Sequence, residues 1–295
     1  MNIREEMLAA ARRAALSADR RRRLEAFIRS QVSPGGGFAD RSGRADLYYT
    51  VFGIASLSAL GLEVPRRPLR NYLEGFGDGA GLDLVHLACL VRCWSACPDP
   101  LPAGRRRRLL ESLAEHRTSD GGYALRPGAE AGTAYGCFLA LGICQDLHVE
   151  LPRPGDVLAF LETLRAGAGG YGNSAGLSLG QVPATAAAAT VRRHLDSPPE
   201  PTVAEWLLAQ RRPDGGFAAA PIVPRSDLLS TATAVHALAH MGVPLDELRG
   251  DTRAFVEGLW CDSGGFRSQV GDESPDCEYT FYALLTLGHL NARTG

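Results

Sequence analysis

The chain has 295 residues, 45% of them hydrophobic and 22% charged, with a formal net charge of −2. That composition excludes collagen-like and disordered chains and leaves one large core or two ordinary ones. The near-neutral charge gives no general pull toward nucleic acid or anionic lipid, no run reaches membrane-spanning length, and seven cysteines without regular loop spacing suit reduced thiols rather than a disulfide framework.

At the N-terminus, "MNIREEMLAAARRAALS" carries Glu5 and Glu6 and lacks the sustained apolar core of a secretory signal, so a cytoplasmic location is expected. Met7, Leu8, Ala11 and Leu16 fall on an apolar stripe. Residues 1–19 are therefore expected to be a helical extension that docks on the rest of the chain or on a second copy. The two "RRRR" runs, Arg20–Arg23 and Arg105–Arg108, read as solvated helix faces.

From residue 20 onward the chain repeats itself. A Gly-Gly-aromatic triplet stands at Gly36–Phe38, Gly121–Tyr123, Gly169–Tyr171, Gly215–Phe217 and Gly264–Phe266, with a worn copy, "GAGL", at Gly79–Leu82. The second glycines, Gly37, Gly81, Gly122, Gly170, Gly216 and Gly265, are separated by 41 to 49 residues, the spacing of a two-helix repeat used six times. Each glycine pair leads through a polar loop to an Ala- and Leu-rich segment such as "DLYYTVFGIASLSALG" or "CEYTFYALLTLGHL". These lack strand alternation and are apolar nearly all round, which predicts buried helices. Between them lie amphipathic segments such as "RPLRNYLEGF", "RPGDVLAFLETLR" and "PTVAEWLLAQRR", which predict helices with one wet face. The arrangement is an all-α α6/α6 toroid over residues 20–295. Its glycines allow a left-handed or close-packed backbone at the outer-to-inner turn, and its aromatics plug the seams.

The "DGGF" and "GGY" triplets followed by "YTVFGIASLSALG" and "YTFYALLTLG" resemble the repeat of protein prenyltransferase β subunits and of squalene and other terpene cyclases, over roughly residues 20–290. The resemblance implies a central cavity, lined by inner helices, that accepts an isoprenoid chain. In the prenyltransferases it also implies a zinc site: an Asp and a Cys two residues apart on the fifth inner helix, and a His just before a Thr on the sixth. Asp227 matches the Asp, but Leu229 stands at the Cys position and Tyr279, before Thr280, at the His position, so the zinc triad is incomplete. Near the diphosphate-binding positions the chain reads "EAGTAYG", "GQVPATA" and "PIVPRSD", and Arg225 is the only cation close to them. The acidic proton-donor motif DxDD of the cyclases does not occur. A helical partner subunit, as the prenyltransferases have, is expected from the same resemblance, and a homodimer is the alternative that residues 1–19 offer.

Asp46, Asp227 and Asp276 each precede a Thr by four residues, so either they cap helices or they gather Mg²⁺ and a diphosphate at one rim. Asp227, Asp276 and Tyr279 are the catalytic candidates, and Asp227 with Cys277, or with Glu278, is an alternative zinc set. Arg225, Asp46, Tyr49, His86, Tyr135 and Tyr282 are the candidates for holding substrate. Tyr49, Phe52, Trp94, Tyr135, Phe138, Tyr279 and Tyr282 would form an aromatic wall or pack seams. His86, Cys89, Cys93 and Cys97 follow one helical face, and four ligands along one straight helix cannot close a tetrahedron. Three functions remain open: a prenyltransferase-like or cyclase-like enzyme on an isoprenoid diphosphate with zinc or Mg²⁺, a non-catalytic isoprenoid or lipid carrier, and a protein-binding scaffold using the toroid rim.

Overall fold

The computed structural model of the chain describes residues 1–97, 101, 104–167 and 169–292. After α1 (Ile3–Ala11), outer and inner helices alternate. The pairs are α2 (Ala18–Ser30) with α3 (Leu47–Ala59), α4 (Arg66–Glu74) with α5 (Leu84–Ala96), and α6 (Arg105–Ala114) with α7 (Ala134–Asp146). They continue with α8 (Pro154–Thr163) and α9 (Val182–His194), α10 (Pro201–Leu208) and α11 (Leu228–His240), and α12 (Asp246–Glu257) and α13 (Cys277–Asn291). Each inner helix packs against the next, from α3 through α13, and α13 returns to α3, so the ring is closed. An inner helix meets two neighbours, an outer helix and the ring's interior, which is why its sequence is apolar on every side.

The turns are built alike. At Gly215 the backbone is left-handed, with φ +87°, and an added Cβ would lie 2.3 Å from the Asp251 carbonyl oxygen of α12. The next glycine, Gly216, packs under the Phe255 ring. The following aromatics, Phe38, Tyr123, Tyr171, Phe217 and Phe266, are all fully buried. Short antiparallel ladders, β1 (Phe38–Ala39) with β2 (Ala45–Asp46) and β3 (Phe217–Ala218) with β4 (Ser226–Asp227), tie two of the turns to the start of the next inner helix.

The Asp-x-x-x-Thr spacing has a structural cause in each case. Asp46, Asp227 and Asp276 are the N-caps of α3, α11 and α13, their carboxylates accepting backbone N–H groups of the first turn. Thr50, Thr231 and Thr280, one turn on, accept hydrogen bonds from the backbone N–H groups of Phe38, Phe217 and Phe266 at 2.9, 2.9 and 3.2 Å. Thr185 does the same for Tyr171 without an Asp before it.

α1 docks across the ring on α13, α3 and α7. It buries Ile3, Glu6, Ala10 and Ala11, and of the expected stripe Met7 and Leu16 also pack against the core while Leu8 lines the cavity. Glu6 is drawn inward to Arg193 and His194 on α9. Arg4 and Arg92 both bind Asp146, at 3.0 and 3.2 Å. The first arginine run is engaged rather than free: Arg20 and Arg23 lie over the Trp260 ring and Arg22 pairs with Asp19. In the second, Arg105 lies over Trp94 and Arg107 pairs with Glu111. Among the described residues no helix is long and apolar enough to cross a membrane.

Candidate functional site

Because the inner helices all begin at the glycine turns, the ring encloses a cavity with two different ends. Its volume is about 560 Å³. α1 closes the end where the inner helices finish, contributing Arg4, Met7 and Leu8. The other end is bordered by loop residues, among them Asn173, Gln181, Ala220 and Val223. Between the two ends, Tyr48, Phe52, Tyr135, Phe138, Phe281 and Tyr282 form an aromatic wall, and small residues such as Ala184, Ala187 and Thr190 on α9 leave the facing side open. The ring of Phe52 sits 5.0 Å from that of Tyr48 and 5.3 Å from that of Tyr282, centroid to centroid.

A buried carboxyl adjoins this wall. Glu278, in the first turn of α13, is 7% exposed, and its Oε1 accepts a hydrogen bond of 2.6 Å from the Tyr48 hydroxyl. Burial pushes its pKa up to about 7, the neighbouring Asp276 adds to the rise, and the Tyr48 hydrogen bond opposes it. The phenols of Tyr48 and Tyr282 are pushed far above their ordinary value, first by burial and then by the charges around them. A carboxyl that titrates near neutrality beside an apolar chamber can donate or accept a proton at working pH.

Beside Glu278 a charged latch joins the first and last units. Arg41 donates to Asp276 from its Nε at 2.8 Å and to Asp272 from its Nη2 at 2.8 Å, and lies over the Tyr279 ring at 5.6 Å. Partial burial would raise Asp272, but hydrogen bonds from Arg41 and Ser268 hold it well below the usual carboxylate range.

Of the residues the sequence singles out for substrate, Tyr135 and Tyr282 line the cavity. Asp46, Tyr49, His86 and Arg225 are not among its lining residues. Asp46 caps α3 and stands 3.6 Å from His86, whose Nδ1 is 2.8 Å from Asp83. Tyr49 follows Tyr48 on the helix and its phenol is pushed by burial to about 12. Arg225 is exposed. The catalytic candidates lie outside the lining as well: Asp227 is held by the backbone N–H and the hydroxyl of Ser230, both at 2.7 Å, and burial raises it. Burial also raises Asp276, against the pull of the Tyr279 N–H and Arg41. Cys277 is fully buried and its thiol is pushed upward by burial.

The zinc ligands implied by the resemblance do not fit this chain. Asp227 is engaged in its own cap, Leu229 presents hydrocarbon to the cavity, and burial keeps the Tyr279 phenol protonated. Nor do Asp46, Asp227 and Asp276 form a cluster tight enough for one ion among the described residues. Tyr48, which the sequence reading passed over for its neighbour Tyr49, lines the cavity, and Glu278, weighed there only as a metal ligand, lies behind that lining and is joined to it through the Tyr48 hydroxyl. The available signal was a single acid set into the apolar run "CEYTFYALLTLG".

The fold of the chain is similar to that of several solved structures. It superimposes on the Candida albicans protein geranylgeranyltransferase-I complexed with GGPP at a TM-score of 0.69 and 13% identity, covering 90% of this chain and 89% of that one. It superimposes on the type II terpene cyclase MstE from Scytonema at a TM-score of 0.63 and 13% identity, covering 93% and 97%. A variant of that cyclase in complex with geranylgeranyl dihydroxybenzoate gives 0.60 at 12% identity, covering 97% of each chain. Among curated proteins, none matches the sequence. The family profile described as the prenyltransferase alpha-alpha toroid domain matches residues 8–86, 78–171 and 184–295. With that profile spanning nearly the whole chain and a closed ring of inner helices beneath it, this protein belongs to the prenyltransferase α/α toroid domain family.

Proposed function

We propose that this protein binds an isoprenoid chain in its central cavity and acts on it as a cyclase-like enzyme, with Glu278 as the acid–base residue and Tyr48 setting its strength. One observation carries the reading: the cavity is walled by aromatics and adjoined by a carboxyl that titrates near pH 7. Its volume falls within the ~300–1,000 Å³ of small-molecule sites. Each buried carbon contributes ~0.8 kcal/mol, so a farnesyl-sized chain supports micromolar binding after association costs. The aromatic faces of Phe52, Tyr135, Phe138 and Tyr282 suit a chain that carries positive charge during reaction, since ring faces attract cations. The protein geranylgeranyltransferase and the terpene cyclase that share the fold bind geranylgeranyl groups, which supports an isoprenoid here. The poor fit of Asp227, Leu229 and Tyr279 as zinc ligands argues against activation of a thiol substrate at that position.

The test is binding and turnover of farnesyl and geranylgeranyl compounds, as diphosphates and as diphosphate-free aryl derivatives, by wild type and Glu278→Gln. The enzyme reading expects binding by both proteins and product from wild type alone. Binding without product from either protein would leave the carrier in its place, and no binding would remove the isoprenoid reading and favour the rim scaffold.

A further inference from the structure

At the α1-covered end of the cavity stands a second group of side chains that the proposed chemistry does not use. His236 and His240 lie one turn apart on α11, and His289 faces them from α13, with candidate donor nitrogens all within 4.8 Å of one another. His236 Nδ1 is 2.8 Å from His289 Nε2. His236 and His289 are 7% and 5% exposed, and His240 is half-buried. The Nε2 atom of His240 is buried without a hydrogen-bond partner, while His236 faces His289 through its Nδ1. Burial holds His236 and His289 well below the ordinary histidine value, His289 at about 3, and lowers His240 against the pull of Glu6. His236 also lines the cavity.

We propose that His236, His240 and His289 bind one divalent transition ion of the zinc class, with a fourth coordination position open toward the cavity. Imidazole nitrogens are suited to such ions and bind zinc at about 2.0–2.1 Å, which sets tetrahedral ligand atoms ~3.3 Å apart. The separation of 2.8 Å between His236 and His289 reaches that value by a small rotation of either ring. A carboxylate beside the set is Glu6 of α1, whose Oε2 lies 3.9 Å from His240 Nε2 and 3.2 Å from His194 Nε2, and which also binds Arg193. It offsets the charge of the ion from outside the three-histidine set. The site is separate from the one the family resemblance implies: His236 is nine residues beyond Asp227 along α11, about 13 Å at 1.5 Å per residue.

The experiment is titration of the full-length, chelator-stripped protein with Zn²⁺ alone and with Co²⁺ alone. The expected result is one equivalent bound, with the visible absorption of tetrahedral Co²⁺ and no near-ultraviolet thiolate band. His240→Gln, at a half-buried position, should weaken binding by more than about tenfold, beyond the lower bound for disturbing an outer partner. His289→Gln should do the same, and Asp227→Asn should bind as wild type does. Absence of stoichiometric binding in wild type overturns the proposal even if the histidine variants fail to fold. A thiolate band, wild-type affinity in both histidine variants, or loss of binding in Asp227→Asn also overturns it.

Discussion

A carboxyl 7% exposed and bonded to a single phenol holds its proton far into the range where a solvated glutamate has lost it. For Glu278 the folded-state pKa of about 7 stands above the ordinary 4.5, so the folded protein binds the proton more tightly than the unfolded chain does. The associated stability is complete below about pH 4.5 and is lost as pH rises through about 7, a change on the order of 3 kcal/mol at ~1.4 kcal/mol per pH unit. Denaturant melts stepped across that window should show the decline in wild type and its absence in Glu278→Gln. A parallel decline in the variant would assign it to another group. Asp272 cannot imitate this behaviour: its pKa is held low by Arg41, so its contribution is present at neutral pH and is lost only in acid. Tyr48→Phe removes the hydrogen bond that favours the ionised form of Glu278. The midpoint of any Glu278-dependent rate should then move to higher pH, read from the profile of kcat/KM.

Among the connecting elements, the glycine turns carry a steric demand that can be isolated. Gly215 has φ +87° and faces the Asp251 carbonyl, whereas Gly43, at φ +85°, has open space where its Cβ would stand. Ala at either position incurs backbone strain of about 1–3 kcal/mol, and only Gly215→Ala adds the clash with α12. Thermal melts should therefore show a larger loss for Gly215→Ala than for Gly43→Ala. Equal losses would mean that the close approach of turn and outer helix carries no weight. It is this demand, imposed at Gly36, Gly121, Gly169, Gly215 and Gly264 but not at the worn copy around Gly79, that made the repeat legible in the sequence: few residues satisfy such a turn, and they recur at a regular interval. The cavity wall was less legible. Helices such as α7 are apolar on all sides, so their pattern does not say which face looks inward, and Tyr48 and Tyr49 differ only by the rotation of one residue along α3. The capping role of Asp46, Asp227 and Asp276 was open from spacing alone, because capping and ion binding ask for the same residue type. Glu6 and the histidines it faces depend on contacts between residues nearly two hundred or more apart in sequence, which no local pattern encodes.

At the scale of the whole molecule, closure removes the exposed end units that an open array of repeats must protect. The last glycine turn packs on Phe27 of the first outer helix, and Arg41 of the first unit binds Asp272 and Asp276 of the last. Walls and loop-lined end are thus fixed by contacts shared around the ring, but the far end is formed by α1, which stands outside the repeats. The depth of the chamber is therefore adjustable without touching the barrel, and under the proposed isoprenoid binding Met7 and Leu8 would be the stop of a measuring gauge for chain length. A geranylgeranyl chain exceeds a farnesyl chain by one isoprene unit, about five carbons, each contributing ~0.8 kcal/mol only if there is depth to bury it. Leu8→Trp should raise the gauge, weakening binding of the longer chain by about tenfold or more while sparing the shorter, and Leu8→Ala should lower it and favour the longer. Calorimetry with both chains on both variants reads the change as a reversal of preference. A loss common to both chains would show that length is measured elsewhere in the ring.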